Sequence, residues 1–212
     1  MSGAALLLVG AGGHAKACVD VIEAEGRFSV GGVVGLAAEV GRQLLDYPII
    51  GSDADLAALV ARHPNAFITV GQIRTAQPRT RLFAELLRLG FQLPVIVSPL
   101  AHVSRYAQLG AGTIVMHGAI VNSGAVVGRN CIINTHALIE HDTVIADHCH
   151  VSTAAVVNGG VTVGTGTFIG SNATVREAVR IGEQCVIGMG ERVYADCPSG
   201  TAPLPRSRGV AP

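Results

Sequence analysis

Charge is scarce in this 212-residue chain: 14% of residues are Asp, Glu, Lys or Arg, the two signs balance at 15 each, and the formal net charge is zero. A nucleic acid or an anionic membrane surface requires a basic stripe, and none is present, so neither is an expected partner. Long hydrophobic runs are also missing. The apolar stretch Ala4 to Val9 has no basic residue before it and glycines just after it, too short for a signal peptide or a membrane span, and a cytoplasmic location is expected. Five cysteines occur without a CxxC pair, so they read as small apolar fillers rather than as a disulfide or metal framework.

What the chain does have is a period. Every sixth residue from Val103 to Val193, through Val115, Ile139 and Ile169, is Val, Ile or Leu, and no insertion interrupts the series. Four residues after each aliphatic stands a small residue, as at Ala107, Thr113, Ala119 and Cys131, with Glu191 the lone exception. An α-helix would smear a six-residue period around all its faces. Short strands joined by tight corners keep it on one side, and three such sides make one triangular coil of eighteen residues. Residues separated by multiples of eighteen therefore stack. Cys131, Cys149 and Cys185 form one inward column, and outward apolar residues such as Ile120, Ile132 and Phe168 predict flat sides that pack against neighbours.

Before the repeat the pattern differs, and the change near Ser98-Pro99 predicts two domains, 1–98 and 99–212 with a C-terminal tail. Strands are predicted at Ala4–Val9, Val30–Val34, Ala66–Val70 and Leu93–Val97. Helices are predicted at Ala15–Glu25, near Asp53–Arg62 and near Arg79–Leu89. This alternation implies a small parallel α/β sheet of Rossmann-like type. Ligands in such sheets sit beyond the carboxyl ends of the strands, which places Gly12, Gly13, His14 and Gly71 around one crevice. The run Gly10-Ala11-Gly12-Gly13-His14-Ala15 fits the dinucleotide fingerprint formally. That fingerprint also asks for an acid at the end of the second strand, where Val33-Val34-Gly35-Leu36 offers none, so NAD is not expected. Free amides at a helix start still suit a phosphate, carboxylate or sugar.

A second constellation lies inside the repeat. Since Ile139 and Thr143 point inward, Glu140, His141 and Asp142 are forced onto a solvent-facing corner. Gly159 follows eighteen residues later and stacks on the same corner. His150, between inward-facing Cys149 and Val151, is predicted to project outward. An imidazole, a neighbouring carboxylate and an unencumbered backbone amide are what acyl transfer from a thioester requires: a base, its orienting acid and a donor for the oxyanion. No cysteine stands where a nucleophile would, so direct attack is expected.

On Leu7 to His14, Val70-Gly71-Gln72, Asn134-Thr135, Ile139-Glu140-His141-Asp142, His150-Val151-Ser152 and Asn158-Gly159-Gly160, the chain resembles the NeuD and PglD kind of hexapeptide-repeat sugar acyltransferase. The resemblance covers nearly the whole chain. It implies a left-handed parallel β-helix after the α/β domain, homotrimers with sites at subunit boundaries, and acetyl-CoA as co-substrate with no metal. It implies His141 as general base, Asp142 as its acid and the Gly159 amide as the oxyanion site. It further implies His150, Gly159, Ser171 and Met189 along the coenzyme groove, with Gly12, Gly13, His14, Gly71 and Asn134 on the acceptor side. Two features depart from the family: Gly35-Leu36 replaces its acidic pair, and the terminal Arg208-Gly209-Val210-Ala211-Pro212 lacks its Pro-Ala-Lys signature. The missing pair tilts the expectation towards O-acetylation of a sialic-acid-like sugar over N-acetylation of a UDP-amino-sugar.

Two other functions fit parts of the pattern. His136 and His141 have the HxxxxH spacing of a zinc-dependent β-helix enzyme resembling the carbonic anhydrases, with a third ligand required from elsewhere. A non-catalytic, sugar-binding solenoid would also fit the repeat.

Overall fold

The computed structural model describes residues 3–202, so the sequence reading of Arg208 to Pro212 falls outside the described residues. Five strands form the N-terminal sheet: Ala4–Val9 (β1), Phe28–Gly35 (β2), Gln43–Leu44 (β3), Tyr47–Ser52 (β4) and Asn65–Ile68 (β5). Their order is β3-β4-β2-β1-β5, with every pair parallel except the β3–β4 hairpin. Central β1 buries Leu6, Leu7, Leu8 and Val9 on both its faces, which is why it reads as an unbroken apolar run. Helices Gly13–Glu25 (α1), Leu56–Leu59 (α2) and Gln77–Arg88 (α3) accompany it.

Two predicted elements differ from the structure, and one hairpin is unpredicted. Strands β3 and β4 are not among the predicted strands; Pro48, which disfavours a central strand, sits opposite Gln43 in their hairpin. The predicted helix over 53–62 shortens to a 3-10 turn, Asp53–Asp55, followed by α2. The strand predicted over 93–97 survives only as Ile96–Val97 (β6). It pairs with Ile114–Val115 rather than with the α/β sheet, so the coil begins two residues before Ser98.

From β6 onward the chain winds as a triangular prism of two-residue strands in three parallel sheets. Each strand lies against the one eighteen residues later, as Ile120 against Leu138 and Ile132 against His150. The six-residue column and the small-residue column fill the interior, and Cys131, Cys149 and Cys185 are buried there. Inward hydroxyls are satisfied by corner carbonyls: Thr143 Oγ1 donates to Asn158 O at 3.0 Å. Every sixth residue from Gly112 to Gly190 adopts a left-handed φ between 53° and 76°. These are the corners. Asn130, His136, Asp142 and His148 take that conformation without being glycine, at about 1 kcal/mol each.

One face of the prism is not exposed at its start. Outward-pointing Ile96, Ile114 and Ile132 are fully buried in one cluster with Leu6, Ala15, Cys18 and Val19 of the α/β unit. This corrects the expectation that Ile132 faces a neighbouring molecule. Each such side chain contributes about 2 kcal/mol to joining the two units, and the next outward residue in the same column is His150.

Candidate active site

The corner at His141 carries the ridge expected from the spacing. His141 Nδ1 lies 2.9 Å from Asp142 Oδ2. A carboxylate can only accept, so Nδ1–H donates and Nε2 presents a bare lone pair outward. Asp142 reaches back because its φ of 58° turns the chain at this residue. Its hydrogen bond and charge, together with Glu140, raise the imidazole pKa above the usual 6.5. Glu140 is held in turn: its Oε2 accepts Asn122 Nδ2 at 2.9 Å and the His141 amide at 3.2 Å. One coil along, Gly159 faces the ring, and among the described residues its N–H donates to no internal acceptor. His141 and Asp142 side chains are 65% and 74% exposed in the single chain.

A different edge of the prism holds a groove of about 680 Å³, lined by His150, Ser152, Phe168, Ser171 and Met189 with Ile73 above them. Ser152 and Ser171 hydroxyls share a hydrogen bond at 3.0 Å. His150 does project from the coil, but the segment after β5 covers it and leaves it 6% exposed. Gln72 O, 2.7 Å away, can only accept from Nδ1–H. Asn134 Oδ1 accepts Thr135 N–H at 2.8 Å, which turns its Nδ2 donor towards His150 Nε2 at 3.1 Å. Both ring nitrogens are thereby occupied. Burial, with smaller contributions from His14 and Arg79, holds the pKa down to about 3, so this imidazole is neutral.

The crevice at the glycine loop adjoins the groove. An ideal Cβ on Gly71 meets His14 Cβ at 3.5 Å, and the His14 and His150 ring centroids are 6.4 Å apart. Burial pushes His14 down to about 4, with Arg79 adding to the effect. Gly12 caps α1 without a side-chain hydrogen bond, and a Cβ on Gly12 or Gly13 would meet nothing within 4 Å. The glycines therefore leave space rather than relieve crowding.

An acid does stand four residues beyond the end of β2. Glu39 folds back so that its Oε2 accepts Leu36 N–H at 2.8 Å and stands 2.8 Å from where a Gly35 Cβ would be. Gly35 also borders Ala11 of the glycine loop, so the carboxylate lies beside that loop. A reading by position in sequence misses it; the spacing of Glu39 from Leu36 across a 3-10 turn is the signal that finds it. Arg79 is likewise part of the arrangement and is singled out by no motif.

The structure thus brings together His141, Asp142 and Gly159, and separately His150, Ser171 and Met189 beside His14 and Gly71. It does not bring His141 to His150 within one chain, because nine residues are half a coil. The same arithmetic separates His136 from His141 onto different corners. Among the described residues no group of three His, Cys, Asp or Glu side chains is placed to hold a metal. Cys18 is buried with its Sγ 3.4 Å from His14 Nε2 and its thiol pushed up to about 12, while Cys131, Cys149 and Cys185 lie inside the prism.

Comparison with known proteins gives a consistent result. The PglD N-terminal domain family matches residues 5–86. A mutant of perosamine N-acetyltransferase from Caulobacter crescentus in complex with CoA and GDP-perosamine, with a histidine replaced by asparagine, is 32% identical. The match covers 95% of this chain and 93% of that one at a TM-score of 0.88. The acetyltransferase domain of PglB from Neisseria gonorrhoeae FA1090, in complex with acetyl coenzyme A, is 30% identical over 95% of this chain and 96% of that one at 0.87. WeeI from Acinetobacter baumannii AYE shares the fold at 21% identity and a TM-score of 0.81, covering 93% and 95%. No curated protein matches. The architecture is a Rossmann-like α/β domain followed by a left-handed parallel β-helix.

Proposed function

The chain belongs to the NeuD/PglD-type family of sugar acetyltransferases, and from that premise we propose that it transfers acetyl from acetyl-CoA to the amino group of a nucleotide-linked amino sugar, with His141 as the base. The observation that carries the mechanism is the His141 ridge: a fixed tautomer, an outward lone pair and an uncommitted amide one coil away.

The sugar amine attacks the thioester carbon, His141 Nε2 takes its proton, and the Gly159 N–H donates to the oxyanion of the tetrahedral intermediate. Collapse breaks the carbon–sulfur bond, and the imidazolium returns the proton to the departing thiolate. Asp142 stabilises the imidazolium in between. Pantetheine occupies the groove along His150, Ser171 and Met189, and the acceptor lies over Gly12, Gly13, His14 and Gly71.

Two observations favour an amine on a nucleotide over the free, sialic-acid-like hydroxyl acceptor. Carboxylates of Glu140 and Asp142 flank His141 and attract an ammonium to the ridge. Glu39 keeps one carboxylate oxygen beside the glycine loop, the position from which an acid holds a ribose hydroxyl while the helix start faces phosphate. The relative at 32% identity is itself an N-acetyltransferase bound to a GDP-sugar.

Because ridge and groove occupy different edges of one chain, the complete site forms between copies, as in a trimer. Exposed Ile120, Val126 and Val144 on the prism sides suit such packing. Two assays test the reading. Release of CoA is followed with GDP-, UDP- and CMP-linked amino sugars and with free sugars, for the wild type and His141→Ala. Loss of turnover by about a thousandfold with CoA affinity retained supports it; unchanged turnover removes His141. Co-expressing His141→Ala with a groove-blocked Ser171→Trp chain restores activity if the site is shared, whereas no recovery places each site within one subunit.

A further inference from the structure

Arg79, on α3, is fully buried and has no carboxylate partner among the described residues. Its guanidinium instead collects four acceptors from two parts of the molecule. Nη1 donates to Ile68 O at 3.1 Å and Val70 O at 2.6 Å, at the end of β5. Nη2 donates to Asn130 O at 3.1 Å and Asn130 Oδ1 at 2.6 Å, on a corner of the β-helix. Asn130 answers with Nδ2, which donates to Arg79 O at 3.3 Å and to His148 Nδ1 at 2.9 Å.

The cost of this arrangement is visible. Desolvation brings the guanidinium down to about 10, and its Nε is left without an acceptor. Apolar residues of similar volume would join the two units without that cost. What only a planar fork supplies is a fixed distance between two sets of carbonyls. Two residues beyond Val70, Gln72 delivers its carbonyl to His150 Nδ1 and its side-chain Nε2 to Gly166 O at 3.1 Å. The segment Thr69–Gln72 is thus pinned at one end by Arg79 and sets the His150 tautomer at the other.

We propose that Arg79 and Asn130 are positioning residues for acetyl transfer, acting through the Gln72 carbonyl to hold His150 in one tautomer at the wall of the coenzyme groove. The inference rests on the groove being the acetyl-CoA site. Its test is built so that the two can fail separately.

Full-length Arg79→Lys and Asn130→Gly are compared with the wild type by thermal melting, steady-state kinetics and 15N spectra of the histidine rings. Glycine accepts the left-handed φ of 54° at position 130, so that variant keeps the corner even if Arg79→Lys does not fold. The expected result is a wild-type His150 protonated at Nδ1 alone, a mixed or shifted tautomer in the folded variants, and a kcat lower by about tenfold or more. A melting change with wild-type ring spectra and wild-type kcat reduces the pair to a structural clamp and overturns the proposal. Changed spectra with wild-type kcat overturn it too, since His150 placement then has no bearing on turnover. Absence of acetyl transfer in the wild type sinks the underlying reading instead.

Discussion

The His141 imidazole occupies the space in which a side chain at Gly159 would begin: an ideal Cβ there lies 2.6 Å from Nε2 and 2.7 Å from Cε1. The obstructing atoms are the tip of an exposed, rotatable side chain, so the ring can swing aside. Gly159→Ala is therefore expected to change stability by less than about 0.5 kcal/mol. By moving the base it is expected to reduce kcat by about a hundredfold. Melting curves and initial rates check both; a large loss of stability would mean that the ring is not free to move.

Asp142 raises the pKa of His141, and a base works only when deprotonated. Activity is thus present above that raised pKa and is lost as pH falls through it, with the acid limb of kcat/KM above 6.5. Asp142→Asn removes the hydrogen-bonded charge, so the limb moves to lower pH while the plateau rate falls. A pH–rate profile whose acid limb stays in place excludes His141 as the titrating group.

Gly12 has open space where its Cβ would stand. Gly12→Val is predicted to fold normally and to raise KM for the acceptor by about tenfold or more, the methyls filling room meant for the ligand. KM for acetyl-CoA is expected to stay within about twofold. Equal effects on the two substrates would remove the glycine loop from acceptor binding.

Glu39→Gln keeps one carbonyl oxygen for the Leu36 amide but replaces the free carboxylate oxygen with an amide group. A ribose hydroxyl then loses a charged acceptor, and calorimetric affinity for the nucleoside diphosphate is expected to drop by about tenfold. Affinity for free amino sugar is expected to be unaffected. An unchanged nucleotide affinity shows that this carboxylate serves only the turn.

Buried His14 and His150 are neutral, with pKa values near 4 and 3 against an ordinary 6.5. The unfolded chain takes up these protons before the folded one does. Stability is therefore full above pH 6.5 and falls as the pH is lowered towards 4 and 3. Melting temperature against pH shows the decline, and His150→Phe is expected to flatten it. A flat profile for the wild type would place these rings in contact with water.

The period made the prism legible, because a six-residue repeat admits one way of burying Val, Ile and Leu. It also made the ridge legible, since the positions of Glu140, His141, Asp142 and Gly159 follow from arithmetic alone. The covering of His150 and Ile132 was not. Both point outward as counted, but which outward residues meet the α/β unit depends on α1 and on the segment Thr69–Gln72, which no repeat governs. Glu39 escaped for a related reason: its place beside Gly35 depends on a turn that folds back, not on a position along a strand. Arg79 gave no signal, since an arginine in an amphipathic helix ordinarily points to solvent.

Eighteen-residue stacking makes the molecule behave like a screw thread. Deleting six residues between Gly160 and Thr167 would leave every strand paired yet rotate Ser171 and Met189 by a third of a revolution, away from His150. Adding a whole turn at the same place would restore the alignment and lengthen the cleft by about 4.8 Å. Indels in this half of the chain should therefore be tolerated for catalysis in multiples of eighteen, even where folding accepts multiples of six.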